Sequence, residues 1–296
     1  MTLSAPENLA PRVPEQPFLH LDTLWIQVAG TLCNLSCTHC FVPSGPGVTR
    51  HAMLSRAEVA ARVAEGLALG VKDVYFTGGE PFLNPEFDAT LADTLALVPV
   101  TVLTNGTLFT SRRVQALAGL ARASRFSLEL RVSLDGDTAE SHDAIRGKGS
   151  YARTLDGLRA VSAAGLLPIV TVTQLERGDP LEFRERVFSR LLAEGLAHPR
   201  VKVLPMFKLG READRKGAYG ERDTLASLPR EAFDPLRLQC GSCRAVTSQG
   251  VFVCPLLVDE PAARMGATLA ESQRGFSLAH GACHTCWVTG MTCANG

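Results

Sequence analysis

A surplus of charge of either sign is the first thing this 296-residue sequence lacks: thirty Lys and Arg stand against thirty Asp and Glu, for a formal net charge of zero. No block of like charge occurs either, so the basic footprint that a phosphate backbone demands is missing and nucleic acid is not an expected partner. Long apolar runs are absent too. Nothing approaches the about 18 uninterrupted apolar residues of a membrane span, so no membrane partner is expected. The first 17 residues have neither a basic start nor an apolar core, and they carry Pro6, Pro11, Pro14 and Pro17. That combination disfavours both a signal peptide and a helix, and it predicts an extended arm over residues 1–21 of a cytoplasmic protein. Internal repeats and low-complexity segments are likewise missing.

What the chain does have is nine cysteines. An odd number without a secretion signal argues against a disulfide framework and for metal binding or redox chemistry. Three of them, Cys33, Cys37 and Cys40, form CxxxCxxC directly after the apolar stretch Leu24–Val28. Three thiolates on one loop can hold three irons of a [4Fe–4S] cube and leave the fourth iron open to another ligand. A zinc half-site or buried thiols is the plainer alternative. Downstream lies Thr77-Gly78-Gly79-Glu80-Pro81. It reads either as a tight turn or as backbone that approaches a ligand closely, with Glu80 as acceptor for an ammonium group.

From Leu24 onward, short apolar runs alternate with amphipathic segments, the order of parallel strands covered by helices. The strand candidates are Leu24–Val28, Val74–Phe76, Val100–Leu103, Leu128–Leu134, Ile169–Val172 and Val201–Leu204. Between them Ser55-Arg56-Ala57-Glu58 has the form of a capping box, and Asn84 before Pro85 reads as the cap of the next helix. Later helices begin at Thr110 or Ser111, Tyr151 and Pro180. Polar residues gather after the strands: the cysteines, Gly78 to Pro81, Thr104 and Asn105, Ser133 and Asp135, then Thr173. In barrels of βα units, function collects on those loops.

The paired CxxxCxxC and GGEP segments resemble the radical S-adenosylmethionine (SAM) superfamily, over roughly residues 22–296. The resemblance implies a partial (β/α)6 TIM-like barrel over 22–207, a charged linker over 208–236 and a cysteine-rich unit over 237–296. It implies a [4Fe–4S] cluster on Cys33, Cys37 and Cys40, which are thereby the catalytic residues. It implies SAM held by Gly78, Gly79, Glu80 and Pro81 at its methionine end. Thr104, Asn105, Ser133, Asp135 and Thr173 would line its path, with Arg146 on its carboxylate, a group that a guanidinium fork suits.

The last 57 residues hold Cys240, Cys243, Cys254, Cys283, Cys286 and Cys293. The alternating stretch Ala245 to Cys254, turned at Gln249-Gly250, predicts a β-hairpin. The two CxxC pairs leave a zinc ribbon open as a reading. The pattern Cys240-x9-Gly250-x3-Cys254 followed by Cys283-x2-Cys286 resembles the twitch/SPASM extension, which implies one auxiliary [4Fe–4S] cluster on Cys240, Cys254, Cys283 and Cys286.

The resemblance thus implies a radical SAM oxidoreductase. SAM would be cleaved reductively, the 5′-deoxyadenosyl radical would abstract hydrogen from a small-molecule substrate, and the auxiliary cluster would accept an electron. A flavodoxin- or ferredoxin-like reductant is the expected partner. Two alternatives stay open: maturation of a ribosomal peptide precursor, and a non-catalytic iron–sulfur or zinc protein that carries electrons.

Overall fold

The computed structural model describes residues 13–175 and 178–290. Six parallel strands run in chain order across the sheet: β2 (Thr23–Gln27), β3 (Asp73–Thr77), β4 (Val100–Thr104), β5 (Leu128–Ser133), β6 (Ile169–Thr173) and β7 (Arg200–Leu204). All six lie where the apolar runs place them, within one residue or so at each end. Helices α1 (Arg56–Ala68), α2 (Phe87–Leu95), α3 (Ser111–Ala123), α5 (Ser150–Ala163) and α6 (Pro180–Ala193) fill the crossovers, and α4 (Ala139–Arg146) precedes α5.

Strand alternation sorts the two faces of this sheet. Leu24 and Ile26, Val74 and Phe76, Val100 and Val102, Leu130 and Val132 point outward and are buried under the helices. Their neighbours in sequence point into the barrel. Helix α1 starts with the expected capping box, Ser55 accepting from Glu58 N–H while Glu58 accepts from Ser55 N–H. Asn84 is not the cap of α2, whose first turn follows Glu86. Its amide instead donates to Val28 and Leu54 carbonyls at 2.9 Å each, tying the end of β2 to the start of α1.

The partial (β/α)6 barrel is thus present, but it does not stop at β2. Strand β8 (Cys243–Thr247) lies parallel to β2, with Thr23 opposite Cys243 and Ile26 opposite Val246. Strands β9 (Gly250–Phe252) and β10 (Arg264–Gly266) then add antiparallel, making a nine-stranded sheet. The hairpin expected of a separate C-terminal unit therefore extends the barrel sheet. All five residues of β2 are buried, and a strand buried on both faces needs ladder partners on both edges.

The described part of the arm is docked: β1 (Glu15–Gln16) pairs antiparallel with β11 (Phe276–Ser277), and Leu278 N–H donates to Pro14. Residues 208–236 are packed rather than spanning a gap. They include helix α7 (Gly210–Lys216) and bury Leu209 and Leu225 beside Phe207. No helix among the described residues is long and apolar enough to cross a membrane.

Candidate active site

The cysteine loop leaves β2 and is fixed by backbone contacts before any cysteine is reached. Gly30 takes φ of +54°, and a Cβ there would lie 2.1 Å from the His51 carbonyl oxygen. Gly79 N–H donates to Gly30 and Glu80 N–H to Leu32, at 2.8 and 3.0 Å. A Cβ on Gly79 would come within 2.0 Å of the Leu32 oxygen, and Gly78 needs φ of +121°. The close approach that these two glycines permit is thus to the cysteine loop itself. Their other side lines a cavity of about 260 Å³.

Cys33, Cys37 and Cys40 all line that cavity, with Cys33 and Cys37 buried and all three thiols free. Leu35 N–H and Asn105 Nδ2 point at Cys33 Sγ, and Arg146 Nη1 at Cys37 Sγ, at 3.5, 3.9 and 4.0 Å. Burial pushes the Cys33 thiol up to about 11 against the Leu35 N–H, and it raises Cys37 against the opposing charge of Arg146. A metal would displace those protons.

Of the other residues expected at the site, Gly78, Gly79, Thr104, Asn105, Ser133, Arg146 and Thr173 open onto the cavity. Glu80 and Asp135 do not, which corrects the expectation that they face it, and Pro81 does not line it either. Glu80 is fully buried and accepts from Thr104 Oγ1 and Asn105 N–H at 2.8 Å each, and from Phe82 N–H. Burial raises its pKa in spite of these donors. It pins the glycine segment to the end of β4. Pro81 opens the one-turn helix that follows and is buried within it.

Asp135 sits behind Arg146 and His39. It accepts from Arg146 Nε and His39 Nε2 at 2.6 Å each and from Thr173 N–H at 2.9 Å. Burial alone would raise its pKa, but the Arg146 guanidinium and His39 outweigh it and hold the carboxyl well below the usual carboxylate range. Its own N–H donates to His142 Nδ1, and burial lowers the His142 pKa to about 4, so that ring stays neutral as an acceptor.

Residues missed at the sequence level include His39, Arg211 and Arg131. His39 lines the cavity from inside the cysteine motif; Arg211, in the segment expected as linker, donates to the Cys37 and Ser44 carbonyls at 3.0 and 2.8 Å. Arg131 lines the cavity floor. The alternation Leu128-Glu129-Leu130-Arg131-Val132-Ser133 was its visible signal, since apolar residues face the helices and the rest must face inward.

A second, smaller apolar pocket is lined by Cys240, Cys243, Cys254, Cys283 and Cys286. Cys293 lies outside the described residues. Cys283 and Cys286 face it from α8 (Gly281–Thr289), where His280 caps the helix by accepting from Ala282 N–H. Burial pushes the Cys283 thiol up to about 12 and raises Cys240 and Cys254 as well. Buried Arg244 holds the approach, donating to the Cys240, Cys243, Ser272 and Arg274 carbonyls. Leu256 lines both pockets, so the turn after Cys254 borders each of them.

Among the described residues no three His, Cys, Asp or Glu side chains converge on a point where one ion would sit. A cube instead asks for thiolates spread around its faces, and free cysteines fit that donor set in both pockets.

Residues 28–187 match the Radical SAM superfamily. The chain belongs to that superfamily. Among curated proteins, it is 31% identical over 271 residues to GTP 3',8-cyclase 2 of Mycobacterium bovis, covering 88% of this chain and 69% of that one. It is 37% identical over 150 residues to AdoMet-dependent heme synthase of Methanosarcina barkeri, covering 47% of this chain and 38% of that one. Among solved structures, SuiB of Streptococcus suis bound to S-adenosylmethionine superposes with TM-score 0.62 at 14% identity, over 82% of this chain and 62% of that one. The AdoMet-bound anSMEcpe gives 0.60 at 18%, over 85% and 77%. At such identities these two structures speak for the fold alone. Membership of the radical SAM superfamily carries with it a [4Fe–4S] cluster and SAM as cofactors.

Proposed function

We propose that the chain is a radical SAM oxidoreductase acting on a small molecule, with Cys33, Cys37 and Cys40 as its cluster ligands. The observation that supports this most is the single cavity: all three cysteines open onto it beside Gly78, Gly79, Asn105, Ser133 and Arg146. When bound, the cluster supplies an electron that splits SAM into methionine and a 5′-deoxyadenosyl radical, which takes a hydrogen atom from the substrate.

The chain's own residues orient and enclose. Arg146, its Nε fixed by Asp135, presents the rest of its fork to a carboxylate. Thr104, Asn105, Ser133 and Thr173 offer hydrogen-bonding groups along the rim. Phe41 and Phe207, edge to face with centroids 5.5 Å apart, and Leu256 wall off water.

The second pocket supports one auxiliary [4Fe–4S] cluster in a twitch/SPASM-like extension, on Cys240, Cys254, Cys283 and Cys286. Four protein thiolates leave no coordination position for substrate, which suits an electron acceptor and a net two-electron oxidation. A flavodoxin- or ferredoxin-like protein would deliver the first electron. The curated relatives named GTP 3',8-cyclase favour a nucleotide-derived substrate over a peptide. The test is anaerobic incubation of the reduced, iron-reconstituted protein with SAM and GTP. 5′-Deoxyadenosine together with a new GTP-derived product is the expected result. 5′-Deoxyadenosine with GTP untouched would remove the nucleotide and leave the radical chemistry; neither product would remove both.

A further inference from the structure

The cavity continues below the rim into the barrel, and what lines it there is unusual. Barrel interiors are ordinarily filled by branched apolar side chains. Here Trp25 of β2, Arg131 of β5 and Thr171 of β6, each two residues before its strand's end, reach the same cavity from strands on opposite sides of the lumen, and Gln27 ends β2 above Trp25. Trp25, Gln27 and Arg131 are each 3% exposed. Trp25 Nε1, Gln27 Oε1 and Thr171 Oγ1 are buried without a hydrogen-bond partner among the described residues. A buried polar atom left unpaired is costly, and the residues that carry these three all line one cavity, where a ligand could complete them by a small side-chain shift.

The charge around the cavity has one sign. Among the described residues no Asp or Glu lines it, and the permanent charges there are Arg131 and Arg146. Arg146 is engaged by Asp135 at the rim. Glu129, whose Oε1 lies 3.5 Å from Arg131 Nε, is off the cavity and shared with Arg200. Asp73, also near Arg131, is off the cavity too. The Arg131 guanidinium rests over the Tyr75 ring at 5.1 Å, which holds it in the floor.

We propose that this floor seats an anionic group of the substrate, a carboxylate or a phosphate ester, with Arg131 as its counter-charge. Trp25 Nε1 and Thr171 Oγ1 donate to it, and Gln27 Oε1 accepts from a hydroxyl or amine on the same molecule. This rests on the reading above, in which SAM takes the rim and leaves the floor to substrate.

The test is calorimetric titration of the cluster-loaded, SAM-saturated enzyme with two anions and a neutral control. Ribose 5-phosphate serves as the phosphate probe, 2-hydroxyglutarate as the carboxylate probe and ribose as the control. One of the anions binds more tightly than ribose, and which one identifies the group. Arg131→Gln weakens that anion about tenfold or more, as the loss of a charge-assisted bond requires. Trp25→Phe, which keeps the ring and removes the donor, weakens it too. Neither anion exceeding ribose, or affinity unchanged in Arg131→Gln, overturns the proposal. If Arg131→Gln loses iron, Trp25→Phe and Thr171→Val decide, and unchanged affinity in both overturns it. Should wild type fail to bind SAM, the rim assignment is what falls, and the same titration without SAM still decides the floor.

Discussion

Asp135 never reaches the cavity, yet it orients two groups that do. Its carboxylate is bonded to Arg146, His39 and the Thr173 N–H inside the protein. Asp135→Asn leaves the Arg146 charge buried without its counter-ion, which costs about 3–5 kcal/mol of stability when one partner of a buried pair is removed. Urea denaturation against wild type measures it. Arg146→Ala weakens SAM binding by roughly 1.5–3 kcal/mol if its fork meets the SAM carboxylate. Unchanged SAM affinity would make Arg146 a partner of Asp135 and nothing more. His142 adds a pH dependence. Its folded pKa of about 4 lies below the ordinary histidine value of 6.5, so the unfolded chain takes up a proton first as pH falls. The stability its neutral ring contributes is complete above about pH 6.5 and is lost on descending to about pH 4, by roughly 2–3 kcal/mol. His142→Gln flattens that part of the stability profile. A variant that keeps the wild-type slope would assign it to other groups.

At the level of elements, the cysteine loop and the glycine segment behave as one unit. Neither is a free strand-end loop, because Gly30 and Leu32 carbonyls take the N–H groups of Gly79 and Glu80. Gly79→Ala forces a methyl into the Leu32 carbonyl and must shift backbone. It lowers the iron that the N-terminal loop retains although no cysteine is changed, and iron analysis with the melting temperature checks this. In the C-terminal pocket the cysteine assignment leaves one thiol over, since Cys243 lines it as well. If the four ligands are Cys240, Cys254, Cys283 and Cys286, Cys254→Ala takes the iron content from about eight to about four per chain while Cys243→Ser keeps about eight, as two four-iron cubes require. Loss of iron in the Cys243 variant would exchange it for one of the four.

Across the whole molecule, the six barrel strands were legible because their outward residues, such as Val74 and Phe76 or Leu130 and Val132, are apolar at every second place. The cysteines and glycines were legible because their spacing is local. What local pattern does not carry is pairing over long separations. The parallel ladder between β8 and β2 joins residues some 220 apart, so the C-terminal hairpin read as its own unit. Polarity at a strand end does not carry depth either. Ser133 and Asp135 looked alike in sequence, but only Ser133 opens onto the cavity. The proposed radical chemistry depends on the loop that bears Cys33, Cys37 and Cys40. Its most direct test is the 5′-deoxyadenosine formed from SAM by the reduced, iron-loaded protein, compared between wild type, Cys37→Ala and Cys254→Ala. Formation in wild type, its loss in Cys37→Ala and its persistence in Cys254→Ala are predicted. No 5′-deoxyadenosine from fully loaded wild type, or undiminished formation in Cys37→Ala, would contradict the account.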